Sequence, residues 1–324
     1  MQKIEELMYK RASEMLESGE VDRVIAWKKG ENCYDVSPAT FTKDNLEGFV
    51  YDAFCGANLS KYLVEESKKG GKILVFLKPC DTYSFNQLLS EHRIKRENIY
   101  VIGIECQGKI GVNKLQKKGL DGILSVEENG DKLTVKTLYG DKEVAFEEAL
   151  SVKCETCKSK EFAVSDETIV LNEMHDNKEK RFEAVEKLEK MTEEERYAFW
   201  QAELSKCIRC NACRNVCPAC TCTCCVFDND KSGIAGKANV DSFEEKLFHI
   251  IRSYHVAGRC TDCGECSRVC PQNIPLHLIN RKYIKDINEF YGEYQAGATV
   301  TGHNPIVDFT KEDVEAATVV GGKK

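Results

Sequence analysis

Two cysteine runs of matching spacing set the terms for everything else in this chain. The first is Cys207, Cys210, Cys213 and Cys217 followed by Pro218; the second is Cys260, Cys263, Cys266 and Cys270 followed by Pro271. Both read Cys-x-x-Cys-x-x-Cys-x-x-x-Cys-Pro. At that spacing three thiolates wrap one corner of an iron–sulfur cube, and the fourth is carried off by a helix start to the neighbouring cube. One 4Fe–4S cluster is therefore expected on Cys207, Cys210, Cys213 and Cys270, and a second on Cys260, Cys263, Cys266 and Cys217. The exchange of ligands holds the two cubes side by side, so an electron can pass between them. A pair of structural zinc sites is the alternative. Zinc, however, favours Cys-x-x-Cys pairs that meet from distant parts of a chain, not four-cysteine runs closed by proline.

The 324 residues ahead of and around these runs suggest about two domains. Residues 1–175 are expected to form an α/β domain, 176–206 a charged helical connector, 207–291 the dicluster domain and 292–324 an extended tail. Ile4, Leu7, Met8, Ala12, Met15 and Leu16 share one helical stripe. A strand is predicted over 21–27 with a turn at 28–30. Residues 38–48 read as a connection with a short helix, and 59–69 as a helix. Apolar runs at 72–77 and 99–104 predict buried strands, each followed by a helix; Asp81 is placed to cap the helix over 82–90. Strand–helix alternation of this kind packs as a parallel sheet, whose ligands gather at the carboxyl ends of the strands. Lys78, Cys80 and Asp81 lie at one such end, and Cys106, Gln107 and Gly108 at another, which makes these six the candidate cofactor-binding residues. No Gly-x-Gly-x-x-Gly fingerprint is present. Short strands at 123–126, 133–138 and 144–146, turned at Asn129-Gly130 and Gly140-Asp141, predict an antiparallel meander.

The connector carries a capping box, Thr192 with Glu195, and the opposite-charge pairs Glu183/Lys187 and Glu186/Lys190. A second capping box, Ser242 with Glu245, opens a helix whose expected apolar stripe is Phe243, Leu247, Ile250, Ile251 and Tyr254. His249 and His255 on it are read as packing or surface residues, since eight thiolates already fill both clusters. Pro275 opens a last helix running to Tyr291.

Further thiols exceed what two clusters need. Cys154 and Cys157 form another Cys-x-x-Cys, and Cys220, Cys222, Cys224 and Cys225 extend the first run. Cys154 and Cys157 with two of Cys220, Cys222 and Cys225 would hold a third cluster; Cys154, Cys157, Cys222 and Cys225 would equally hold zinc. Cys33 and Cys55 are read as structural. Cys80 and Cys106 are either buried apolar groups or residues of the ligand loops. Eighteen cysteines behind an acidic N-terminus with no secretion leader favour metal over disulfides and place the chain in a reducing cytoplasm. A net charge of −7 without a basic block argues against nucleic acid, and no apolar stretch is long enough to span a membrane.

The stretch Gly103-Ile-Glu105-Cys106-Gln107-Gly108 and the Cys154/Cys157 pair resemble the Pro-Cys-Gln loop and internal cysteine pair of the beta subunits of deazaflavin-coenzyme-reducing hydrogenases and formate dehydrogenases. Two features differ: Glu105 stands where that family has proline, and the bacterial-ferredoxin-type part comes last here rather than first. The resemblance implies an FAD-binding α/β domain joined to ferredoxin-like clusters, with Cys154 and Cys157 as ligands of a third one. It implies an electron-transfer subunit of an anaerobic oxidoreductase, partnered by hydrogenase, formate dehydrogenase or heterodisulfide-reductase-like subunits and by soluble ferredoxin. A flavin would convert two-electron hydride chemistry into single electrons for the clusters. The alternatives are a catalytic flavoprotein subunit acting directly on NAD(P)H or a deazaflavin, and a non-redox scaffold with zinc.

Overall fold

The computed structural model describes residues 1–158, 160–174, 178–232 and 242–308, with 230, 242, 243 and 245 as backbone alone. Helix α1 (Gln2–Glu17) buries Ile4, Met8, Ala12, Met15 and Leu16 against a central sheet. That sheet runs β2 (Val36–Phe41), β1 (Arg23–Lys29), β4 (Ile73–Leu77), β5 (Ile99–Ile104), β9 (Glu167–Ile169), with β3 (Phe49–Val50) also on β1. The β1–β4, β4–β5 and β5–β9 pairings are parallel, those of β1 with β2 and β3 antiparallel. All five residues of β4 are buried, as expected of an apolar run covered on both faces.

Several local expectations change. Residues 38–48 are not a helical connection: they contribute to β2 and lead to β3. Pro38 hid the strand. It is tolerated because β2 is an edge strand, so a missing N–H costs no ladder bond on its open side. Lys28 and Lys29 belong to β1 rather than to a turn. The 59–69 helix is a short α-helix, α2 (Leu63–Glu66), between two tighter 3-10 turns, and it ends at Gly70. Asp81 does not cap its helix. Helix α3 (Pro79–Ser90) starts earlier, with Pro79 in the first turn, where its missing donor is harmless. Asp81 turns inward and pairs with Lys78 at 2.6 Å. Strand β9 was not anticipated, being three residues of mixed polarity.

Helix α4 (Val112–Lys117) leads to the meander, β6 (Ile123–Asn129), β7 (Lys132–Thr137) and β8 (Lys142–Ala145). It forms a separate three-stranded sheet with its own small core of Leu133, Val135 and Val144 packed on Leu115 and Leu120. Two one-turn helices follow, α5 (Phe146–Ala149) and α6 (Val152–Glu155).

In the connector, α7 (Glu183–Glu189) and α8 (Glu193–Leu204) flank the capping box: Thr192 Oγ1 accepts from Glu195 N at 3.2 Å, and Thr192 N donates to the Glu195 carboxylate at 2.9 Å. One-turn helices α9 (Ala212–Asn215) and α11 (Glu265–Arg268) lie within the two cysteine runs, with α10 (Ser242–Val256) between them and α12 (His277–Tyr291) after. The buried face of α10 is Phe248, His249, Arg252, Ser253 and Val256; Ile250 and Tyr254 of the expected stripe are exposed. This face meets thiols as well as hydrocarbon, so Arg252 and His249 share it with Phe248, which packs on Phe227. The Ser242/Glu245 capping box and Phe243 lie outside the described side chains. Of the tail, 292–308 lies on the body: Tyr294 Oη donates to Gly258 O at 2.7 Å, and a Cβ at Gly297 would lie 1.9 Å from Tyr83 O. Residues 309–324 lie outside the described ones. Among the described residues no helix is long and apolar enough to cross a membrane.

Candidate iron–sulfur sites

The two runs fold as copies of one another. Arg209 and Asp262 have φ of 54° and 55°, and Asn211 and Gly264, two positions on, have 62° and 69°. Alternating left-handed residues curl each loop tightly, and a non-glycine residue such as Arg209 adopts that conformation only where its surroundings impose it. Gly264 has a second reason to be glycine, since a Cβ there would sit 2.4 Å from Lys153 Cβ. Arg209 N donates to Cys207 Sγ at 3.4 Å. Helices α9 and α11 then carry the fourth cysteine of each run away.

The resulting electrostatic neighbours are those that ligand exchange requires. Cys213 is perturbed by Cys207, Cys210 and Cys270; Cys260, Cys263 and Cys266 are each perturbed by Cys217. Burial pushes the thiols of Cys213 and Cys263 up to about 11 and that of Cys266 up to about 12. Grouped buried thiols resist ionising on their own; a bound cationic core is what makes four thiolates tolerable together. Arg252, 3% exposed, lies among Cys266, Cys213, Cys217 and Cys220, and none of its guanidinium nitrogens has a hydrogen-bond acceptor among the described residues. A buried donor group left in that condition is costly. The sulfurs of bound clusters are the acceptors that fit it. His249 Nε2 lies 3.3 Å from Cys207 Sγ, a packing role on the cluster wall. No three His, Cys, Asp or Glu side chains among the described residues converge as a single metal ion would need.

A further four-thiol group forms where β4 and β5 end. Cys80 is in the first turn of α3, Cys106 follows β5, Cys154 is on α6 and Cys157 just beyond. Lys160 sits among them: its Nζ is 4.0 Å from Cys106 Sγ, and its charge is favoured by Cys106, Cys157, Cys154 and Cys80. Burial works to raise the Cys106 thiol, but Lys160, Lys109 and Lys78 outweigh it and hold the group below its ordinary value. Burial raises Cys80 and Cys154.

Five buried lysines surround this group. Lys78 is neutralised by Asp81, and Lys153 by Glu265 at 2.5 Å. Lys109 donates to Asp52 O at 2.7 Å and stands 3.7 Å over the Tyr51 ring. Lys158 donates to Thr261 O at 2.5 Å and stands over Tyr83. Lys109, Lys158 and Lys160 have no carboxylate within ion-pair distance among the described residues. Buried ammonium groups need opposite charge nearby: for Lys160 it comes from the four sulfurs, for Lys109 from Cys106, Cys55 and Asp52, and for Lys158 from Asp262.

Cys154 and Cys157 are thus gathered with Cys80 and Cys106, not with the extension of the first run. Cys220, Cys222, Cys224 and Cys225 line a separate cavity of about 730 Å³ with Lys61, Arg214 and Arg259. Cys220 hydrogen-bonds Cys217, which lowers the Cys217 thiol to about 6 and raises Cys220. Cys55 is buried in the main core, and Cys33 packs beside the meander. The loops expected to hold a flavin are filled. Lys78 and Asp81 are 1% and 0% exposed and bonded to each other, and Gln107 Nε2 donates to Glu173 O at 2.8 Å. They do not fit as a phosphate cradle. Of the five lysines only Lys78 is among the candidates read from the sequence, although each of the four cysteines has a lysine within three positions, at Lys78, Lys109, Lys153 and Lys158.

Comparison with known proteins follows this geometry. Residues 203–274 match the 4Fe-4S dicluster domain. The chain is 27% identical, over 335 aligned positions covering 84% of it and 86% of the relative, to the F420-dependent formate dehydrogenase subunit beta of Methanocaldococcus jannaschii. It is 32% identical over 97 residues, 30% of it and 25% of the relative, to the F420-dependent formate dehydrogenase 1 subunit beta of Methanococcus maripaludis. A chain of the F420-reducing NiFe hydrogenase complex from Methanosarcina barkeri aligns with 49% of this chain and 63% of its own length, at 16% identity and a TM-score of 0.38. The resemblance noted from residues 103–108 and 154–157 therefore holds.

Proposed function

We propose that this chain is an iron–sulfur electron-transfer subunit of a multi-subunit oxidoreductase, of the kind formed by F420-dependent formate dehydrogenases and hydrogenases. Three centres would lie in line: the Cys207/210/213/270 set, the Cys260/263/266/217 set, and a third 4Fe–4S site on Cys80, Cys106, Cys154 and Cys157. The observation that carries this reading is the buried fastening between the last two. Glu265, between Cys263 and Cys266, accepts from Lys153 beside Cys154 at 2.5 Å and from Arg268 at 2.8 Å. Thr261, between Cys260 and Cys263, bonds Ser84 Oγ at 2.7 Å and Lys158 through its carbonyl. The third site thus sits against the second set rather than apart from it.

When bound, the clusters supply one-electron carriage. The chain's own residues ligate them, exclude water and hold their separation through the Lys153–Glu265–Arg268 group. At the far end Ile208 and Cys210 are exposed, which makes the rim of the first set the docking edge for a partner subunit or soluble ferredoxin. A reducing, cytoplasmic setting suits such exposed thiols. The segments 78–81 and 106–108 are filled by their own side-chain contacts and leave no cradle for FAD phosphates. The adapter reading, with a flavin, and the plain wire, without one, differ in flavin content alone.

The test is iron, zinc and flavin per chain on protein purified without oxygen. About twelve iron and no zinc is the expected result. About eight iron with one zinc would remove the third cluster and leave a two-cluster wire with a scaffold site.

A further inference from the structure

The cations around the three sites are not spent alike. Beside the second set, Asp262 is matched by Arg281 at 3.0 Å and Arg181 at 2.8 Å, and Glu265 by Lys153 and Arg268. Those charges answer one another. Among the described residues the first and second sets share two buried cations without a carboxylate within ion-pair distance, Arg252 and Arg209. The single Cys80/Cys106/Cys154/Cys157 site has three: Lys160, 4.0 Å from Cys106 Sγ, with Lys109 after Cys106 and Lys158 after Cys157, the last also reaching Thr261 O of the second run.

Adding an electron to a centre makes it more negative. A nearby buried ammonium stabilises the reduced form more than the oxidised form, and does so strongly because little solvent screens it. We propose that Lys160, supported by Lys158 and Lys109, holds the Cys80/Cys106/Cys154/Cys157 site at the most positive reduction potential of the three, so that an electron entering at the exposed first set comes to rest at the α/β end. This rests on the third-cluster reading above. The step is a one-electron transfer: the dicluster pair loses the electron that the third site gains, and an external one-electron reductant restores the pair. Lys160 is a positioning charge and ligates nothing.

The experiment is a redox titration of the full chain, purified without oxygen and reduced with dithionite, followed by electron paramagnetic resonance. The signal absent from a Cys157→Ala variant identifies the third site. It is expected to appear at the highest potential of the three. In Lys160→Met, at unchanged iron content, its reduced-to-oxidised ratio at fixed potential should fall at least tenfold, a shift of about 59 mV for one electron. Lys160→Arg should restore the wild-type value. Where Lys160→Met loses iron, Lys158→Met is read in its place, with a smaller shift of the same sign. Twelve iron with a third-site signal below the other two, or a full-iron variant with no shift, overturns the inference and leaves the third cluster standing. Wild-type chain with only eight iron overturns both.

Discussion

The dicluster region and the four-thiol site of the α/β region handle the same problem with opposite means. The first draws its eight thiols from two short runs whose loops repeat each other in backbone angle, and balances its buried carboxylates Asp262 and Glu265 with ion pairs. The second draws four thiols from three separate stretches, brings them together only through the sheet, and surrounds them with five lysines, of which Lys109, Lys158 and Lys160 have no carboxylate within ion-pair distance among the described residues. Repetition makes a site robust and legible; assembly from distant segments makes it dependent on the whole fold and gives it a different electrostatic setting.

The sharpest way to break this contrast is to remove thiols. Cys154→Ser or Cys106→Ser should cost about four iron per chain and leave the dicluster signals in place, while Cys222→Ser and Cys224→Ser should cost none. Iron analysis with electron paramagnetic resonance decides it, and loss of iron from the Cys222 variant would return that residue to the third site. Next in size is the fastening between the two regions. Glu265→Ala leaves the buried Lys153 without its partner and takes the partner of the more exposed Arg268, and should destabilise the fold by about 3–5 kcal/mol in denaturant unfolding. A change under about 1 kcal/mol would mean that the two regions are not held together by this group.

A pH effect comes third. His277 is buried, bonds Ser267 Oγ through Nδ1 at 2.8 Å, and burial lowers its pKa to about 3. Unfolded, it would take up a proton near its ordinary value of about 6.5. Its contribution is therefore complete above about pH 6.5 and falls as the pH drops toward 3, on the order of a few kcal/mol in all. His277→Gln should flatten the decline in stability between pH 6.5 and 4; an unchanged slope would assign it to other groups. The smallest effect belongs to the connector, where Thr192→Ala should cost about 1 kcal/mol through loss of the cap on α8, without altering either kind of site.

What could be read ahead of the structure followed the range of the forces involved. The cysteine runs, the apolar segments of β4 and β5, the meander turns and the Thr192/Glu195 box are each encoded within a few residues. Pro38 misled because an edge position, which excuses a proline, is a property of the sheet and not of the segment. The stripe of α10 misled because its neighbours are thiols, so Arg252 and His249 went inward while Ile250 and Tyr254 stayed out. Cys154 and Cys157 were paired with residues 220–225 because those were the nearest surplus thiols in the count, whereas the parallel sheet had already placed Cys80 and Cys106 at the same edge.

By itself the sequence determined where the 4Fe-4S dicluster domain lies, since each four-cysteine run closed by proline is encoded within one short stretch. Tertiary structure decided which further thiols meet, where Lys109, Lys158 and Lys160 spend their charge, and how the third site is fastened to the second. Those outcomes depend on contacts between segments from about fifty to more than a hundred residues apart, set by the packing of a whole sheet, and on buried charges whose partners are chosen by proximity in space.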